Sequence, residues 1–372
     1  MSGCVPPYDG SATWSASVGP VLSLLPGITA RLVHTERLGV NVLSTDRAHG
    51  EPVVLVHGNV SSALFWQEAM LALPGRFRPL AVDLRGFGGT DPLPVDATRG
   101  LRDFADDLAA TLAVLDLDSV HLVGWSMGGG IVLQHLLDHA SSLRSVTLVA
   151  PLSPYGFSGT TGPAGTRTSP DGAGSGAGTV NPDFVRLLAA GDVGTKHQAS
   201  PRAVFRAFYV APGFESRHED VYVESMLTTR TGEGNYPGDA RSSDHWPGAA
   251  PGTSGVLNAM APVYCDLSAV VQVDPKPPVL WIRGDADQIV SDASMFDLAT
   301  LGRLGVVPDW PGERTHPPQP MIAQTRAVLD EYAVRGGQYR EVVLRGVGHS
   351  PPIEAVDRFV AELTAHLKGS PG

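Results

Sequence analysis

The chain has 372 residues, 42% of them hydrophobic and 17% charged, which is enough apolar material for a sizeable core and too much for a disordered chain. A net charge of −11, from 38 acidic against 27 basic side chains with no run of Lys or Arg, argues against nucleic acid or an anionic membrane as partner. The two cysteines, Cys4 and Cys265, are too few for a disulfide framework and lack the clustered spacing of a zinc site. The first residues, MSGCVPPYDGSATWSASVGPVLSLLPG, carry no basic n-region, and no stretch approaches the roughly 20 apolar residues that span a bilayer. The expectation is a cytoplasmic protein with free thiols.

From about residue 30 short β-branched runs alternate with helical periodicity. RLVHTERLGVNVLSTD reads as an antiparallel pair, and EPVVLVHG as a strand buried on both faces. A helical segment, SSALFWQEAMLALP, precedes the strand and turn FRPLAVDLRG; LRDFADDLAATLAVLDL then has apolar residues at helical spacing. DSVHLVGW, GGGIVLQHLLDHASSL and SVTLVAPL follow as strand, helix and strand. Such alternation predicts an α/β fold: a mostly parallel central sheet flanked by helices.

That grammar fails after Pro151. The Gly, Ser, Thr and Pro of SPYGFSGTTGPAGTRTSPDGAGSGAGTV predict a flexible loop with no fold of its own. Helical fragments follow, NPDFVRLLAAGD, SPRAVFRAFYVA and HEDVYVESMLTTR, then another Gly- and Pro-rich passage. Strand grammar resumes at PPVLWIRGD and YREVVLRGVGH, and the helix AVDRFVAELTAHL closes the chain. The expected organisation is an N-terminal extension, 1–29; a core formed by 30–152 and 276–372; and a mainly helical insertion, 153–275.

HLVGWSMGGG sets Gly124, Trp125, Ser126, Met127 and Gly128 in a G-x-S-x-G pattern between a strand and a helix. A sharp turn there strains the serine backbone and lifts its hydroxyl above the sheet edge. A serine hydroxyl needs a base, and the base an orienting acid. The strand-end segment DADQIVSD offers Asp285, Asp287 and Asp292, and the end of the last strand offers His349. Asp285 directly follows the strand-ending glycine and reads as a turn residue, while Asp292 reads as the N-cap of a helix over ASMFDLATL; Asp287 remains. Oxyanion donors are expected from the backbone N–H of Met127 and of Asn59. His57 reads as a hydrogen-bonding loop residue outside the chemistry.

The motifs VVLVHG, DLRGFGGTD, GWSMGG, GDADQIV and GVGHS, in this order, resemble the α/β-hydrolase superfamily. The resemblance implies Ser126 as nucleophile, Asp287 as acid, His349 as base, and a mobile cap in the insertion. HGNVSSALFW is similar to the corresponding loop of haloalkane dehalogenases and epoxide hydrolases, which attack with an aspartate; Ser126 in that place argues against their chemistry. The expected activity is hydrolysis of a small carboxylic ester or lactone through an acyl-enzyme, with no cofactor and no metal. Carbon–carbon hydrolysis, acyl transfer and peracid formation use the same triad, and a silent ligand-binding fold is the non-enzymatic alternative. Trp125, Tyr155, Phe157 and Trp246 are candidate substrate contacts, with Trp310 and His316 on a long segment before His349.

Overall fold

The computed structural model describes residues 23–370 except 48. Most of the expected N-terminal extension, 1–29, and Cys4 lie outside the described residues. An eight-stranded sheet organises the rest. Its strands are β1 (Ile28–His34), β2 (Gly39–Thr45), β3 (Glu51–Val56), β4 (Phe77–Val82), β5 (Val120–Trp125), β6 (Leu143–Val149), β7 (Val279–Gly284) and β8 (Tyr339–Leu344). They run in the spatial order β1-β2-β4-β3-β5-β6-β7-β8. β1 and β2 are antiparallel, as their alternation predicts, and β4 through β8 are parallel.

The middle strands are continuous apolar runs because helices cover both of their faces: Val53 to Val56 in β3 are fully buried, as is Trp125 at the end of β5. Helix α1 (Gln67–Ala72) packs against the closing helix Val356–Gly369. Helix α2 (Arg102–Val114) packs on α3 (Met127–His139), and α3 on β5 and β6. α2 buries Phe104, Ala105, Leu108 and Leu112, the stripe its spacing predicts. The chain reverses its direction of travel across the sheet between β3 and β5, so the loops leaving those two strands splay apart at their carboxyl ends. A crevice at such a switch point is where open α/β sheets place ligands.

Between β6 and β7 the insertion forms helices at Pro182–Ala189, Pro201–Val204 and Glu219–Leu227. The first two start where their sequence says: Asn181 and Ser200 accept hydrogen bonds from Asp183 N and Ala203 N, and proline occupies the first helical position. The glycine-rich stretch after Pro151 departs from expectation. It is not a loose loop: Ser158, Thr160, Ser169, Ala173 and Ser175 are buried, and Thr160–Thr161 pairs with Thr166–Arg167. Three buried amides take the place of an apolar core there. Gln319 Oε1 accepts Ser158 N (2.5 Å), Gln324 Oε1 accepts Ser153 Oγ (2.7 Å), and Asn258 Oδ1 accepts Ala177 N (2.9 Å). Small residues let these amides reach the backbone, so a composition that suggests flexibility here serves close packing.

A second departure is the helix Met321–Val334, hidden inside the long segment before His349. It supplies the crossover that the parallel pair β7 and β8 requires.

Candidate active site

Ser126 lies between β5 and α3 with φ 56° and ψ −122°, a backbone state non-glycine residues avoid at a cost of about 1–3 kcal/mol. Three hydrogen bonds hold it there: Ser126 N donates to Val149 O, and Ser126 O accepts from Gly129 N and Leu152 N, all at 2.9 Å. The turn closes so tightly that a Cβ on Gly124 would meet Gly128 O at 2.2 Å. Glycine is therefore obligatory at that step. The loop leaving β3 crosses directly beside the serine, where a Cβ on Gly58 would meet Ser126 Cβ at 2.8 Å.

Asp287, after β7, and His349, after β8, come together: His349 Nδ1 lies 2.8 Å from Asp287 Oδ2. Their side chains are only 2% and 3% exposed, so the pair is shielded from competing water. Asp287 Oδ1 also accepts Ile289 N (2.8 Å) and Val290 N (3.0 Å), fixing the carboxylate plane. Because the carboxylate accepts, Nδ1 carries the proton and Nε2 keeps a lone pair. Neither the Ser126 hydroxyl nor His349 Nε2 makes a hydrogen bond to another described residue. Trp125 Nε1 donates to His349 O at 2.7 Å, tying the residue before the serine to the histidine backbone.

The neighbouring aspartates have other partners. Asp285 Oδ1 accepts Gly346 N (2.7 Å) and so joins the loops after β7 and β8. Asp292 does not cap the helix that follows it in sequence. Its Oδ1 accepts Ile322 N and Ala323 N at the start of Met321–Val334, while Asp297 caps Leu298–Arg303.

His57 is fully buried and takes no part in the Asp287–His349 pair. Its Nε2 accepts Leu84 N (3.0 Å), so Nδ1 bears the proton and donates to Gly58 O at 2.7 Å. Burial drives its pKa down to about 3, against the opposing pull of the Gly58 carbonyl, so the ring stays neutral. Ser61 Oγ donates to the same carbonyl at 2.8 Å. In a trans peptide C=O and N–H point oppositely, so these two donors also fix the direction of Asn59 N–H. Met127 opens α3, and its N–H is among the first-turn donors a helix leaves unpaired.

The expected substrate contacts fare differently. Trp125 has no exposed surface; its ring stacks on Phe65 with centroids 4.9 Å apart, so it is a strut of the site and not a lining residue. Tyr155 lines an open cavity of about 410 Å³ with Ser268, Gln272 and Glu331, and Trp246 lines another of about 440 Å³ with His245 and Pro308. Ser126, Asp287 and His349 line neither of these two cavities. Phe157 is partly buried against the core, its N–H on Met260 O. His316 and Trp310 pair locally, through Trp310 Nε1 to His316 O, and not with the serine. Among the described residues no cluster of three or more His, Cys, Asp or Glu is arranged to hold a metal ion.

Two residues that sequence reading passed over reach the site. Tyr209, in a single π-helical turn Phe205–Tyr209, donates its hydroxyl to Asn59 O at 3.0 Å, and its ring lies edge-on to His349 with centroids 6.2 Å apart. Glu354 Oε2 accepts Gly348 N (2.9 Å) and Ala211 N (2.6 Å), and its Oε1 accepts Ser350 N (3.0 Å), so one carboxylate brackets His349. Burial pushes its carboxyl above the ordinary range, opposed by the N–H donors. The only signals in sequence were the aromatic run FRAFY and a Glu shortly after GVGHS.

Comparison with known proteins agrees with this architecture. A family model described as the α/β hydrolase fold matches residues 51–169, which hold β3 to β6 and Ser126 but neither Asp287 nor His349. The chain has the α/β-hydrolase fold. This chain is 37% identical over 122 residues to the non-heme chloroperoxidase CPO-A1 of Kitasatospora aureofaciens, covering 32% of this chain and 44% of that protein. It is 37% identical over 101 residues to a pimeloyl-acyl-carrier-protein methyl ester esterase of Aeromonas hydrophila, covering 27% and 38%. The matched stretch thus spans less than half the length of these curated relatives. The solved carboxylesterase CesB of Bacillus subtilis superposes with a TM-score of 0.56 at 14% identity, over 92% of this chain and 93% of that one, a likeness of fold.

Proposed function

We propose that this chain is a serine hydrolase that cleaves a small carboxylic ester or lactone through an acyl-enzyme. Ser126 Oγ attacks the carbonyl carbon, His349 Nε2 takes its proton and returns it to the leaving alcohol, and Asp287 holds the imidazole in the required tautomer. Water then attacks the acyl-enzyme with His349 again as base. The oxyanion sits between Met127 N–H and Asn59 N–H, where preorganised donors contribute the largest share of the rate. The β6–β7 insertion acts as the cap. Transfer of the serine proton requires a Ser126 rotamer that brings Oγ to His349 Nε2, a contact that commonly forms only with substrate bound.

One observation carries this reading: the buried 2.8 Å Asp287–His349 contact leaves Nε2 as a free base on the same sheet edge as a serine held at φ 56°. The strain at Ser126 has no structural use, since glycine would sit there without cost. Relatives named as esterases support the ester class. The relative named a chloroperoxidase favours a second use of the same intermediate, attack on the acyl-enzyme by hydrogen peroxide to give a peracid. The test is a panel of p-nitrophenyl esters and lactones with native enzyme and Ser126→Ala. Turnover lost in the variant is expected; full turnover in it refutes the assignment.

A further inference from the structure

The insertion packs on the loop after β3 through Ser225, whose hydroxyl lies 2.6 Å from Ser62 Oγ, and through Phe205–Ala211, and the contacts of that second segment are with the machinery itself. Tyr209 Oη donates to Asn59 O (3.0 Å) and approaches Val60 O (3.4 Å). Gln288 Nε2, next to Asp287, donates to Ala207 O (3.3 Å), and Ala211 N donates to the carboxylate that brackets His349. π-helical turns are rare and cluster at functional sites. Here the turn brings Tyr209 inward, where its ring is 6.0 Å from Trp125 and 6.1 Å from Phe65.

The target of the tyrosine hydroxyl is the loop after β3, at a residue next to a strained position. Val60 has φ 46°, a left-handed state that is an outlier for a β-branched residue. The peptide before Asn59 is pinned by His57 and Ser61 through Gly58 O, and the peptide after it by Tyr209 through Asn59 O. Asn59 is therefore clamped on both sides, and one of the two clamps comes from the insertion. Burial pushes the Tyr209 phenol upward from its ordinary value, so the hydroxyl remains a donor.

Resting on the acyl-enzyme reading above, we infer that Tyr209 is a positioning residue for the oxyanion donor Asn59, so that the site is fully formed only when the Phe205–Ala211 turn is seated. It touches no reacting atom; it acts by fixing the peptide that follows Asn59. Substrate binding under the insertion and assembly of the oxyanion hole become one event.

Tyr209→Phe removes the hydroxyl and keeps the ring, while Tyr222→Phe removes a second buried hydroxyl, bonded to Glu68 at 2.6 Å away from the triad, as the control. Loss of a single neutral hydrogen bond predicts a kcat for Tyr209→Phe that is roughly threefold to tenfold lower, with KM within about twofold. The control keeps native kcat. Hydrogen exchange without substrate gives an independent readout: in Tyr209→Phe the amides of residues 58–63 exchange faster while the rest of the chain is unchanged. Unchanged exchange at 58–63, or an equal fall in kcat for both variants, overturns the assignment. Should the native protein hydrolyse no ester, the acyl-enzyme reading fails by itself, and the exchange comparison still decides whether Tyr209 orders the loop.

Discussion

Replacing Asp287 by Asn changes one atom's chemistry at the centre of the proposed relay. The carboxylate spends Oδ1 on Ile289 N and Val290 N and Oδ2 on His349 Nδ1. An asparagine keeps the first two bonds by presenting its carbonyl oxygen there, which turns its NH₂ toward the imidazole. Two donors then face each other, so His349 must move its proton from Nδ1 to Nε2, where it no longer accepts from Ser126. The cost combines a lost charge-assisted hydrogen bond, about 1.5–3 kcal/mol, with the unfavourable tautomer and the loss of the charge that stabilises imidazolium. A fall in kcat of about 10³–10⁴ follows, equivalent to about 4–5.5 kcal/mol, in line with tautomer reversal in other triads. KM should move little, and so should thermal stability, because shape and the two backbone bonds persist. Steady-state kinetics on the best ester from the panel, alongside a thermal melt, measures both. A kcat within tenfold of native would refute the assignment of Asp287, and a collapsed melt would show that its role is structural.

Acid should destabilise the fold through its buried histidines. Burial lowers His57 to about 3 and His121, His135 and His366 to about 4, so the unfolded chain takes up protons first as pH falls below about 6.5. The stability these neutral rings contribute is complete above that pH and is lost on acidification, each at up to about 1.4 kcal/mol per pH unit. Urea midpoints should change little from pH 7.5 to about 6.5 and fall from there to pH 4.5; a flat profile below pH 6.5 would contradict their burial as neutral rings. Elsewhere, Arg85 and Asp107 form a buried fork, Nε to Oδ2 at 2.6 Å and Nη2 to Oδ1 at 2.8 Å. Asp107→Leu removes both of these charge-assisted bonds and leaves the guanidinium Pro94 O (2.8 Å) and Asp103 Oδ2 (3.3 Å), so it should cost about 1.5–3 kcal/mol by chemical denaturation; a loss under 1 kcal/mol would show that those two partners suffice.

Much of this was legible in the chain because the relevant signals are local. Strand and helix periodicities placed β3 to β6 with α2 and α3, and the glycines around Ser126 marked a turn whose clearance at Gly124 is 2.2 Å. Ser126 is marked by its G-x-S-x-G pattern, while Asp287 and His349 follow strand ends, where a parallel sheet presents its loops. What failed was non-local. The glycine-rich stretch after Pro151 reads as flexible until Gln319, Gln324 and Asn258, far away in sequence, are seen to satisfy its backbone. Asp292 reads as capping the helix beside it, yet it serves one that starts at Met321. Trp125, a candidate substrate contact by sequence, commits its indole N–H to His349 O, a partner 224 residues away. Tyr209 and Glu354 carry no spacing signal, since their partners lie on other elements.

The most direct measurement is intact-mass and peptide analysis of the native protein after exposure to a fluorophosphonate, with His349→Ala run in parallel. One adduct on the peptide holding Ser126, formed rapidly in the native protein and lost or slowed by orders of magnitude in the variant, is the predicted outcome. Equal labelling of both proteins, or an adduct on any other residue, would contradict a serine activated by that imidazole.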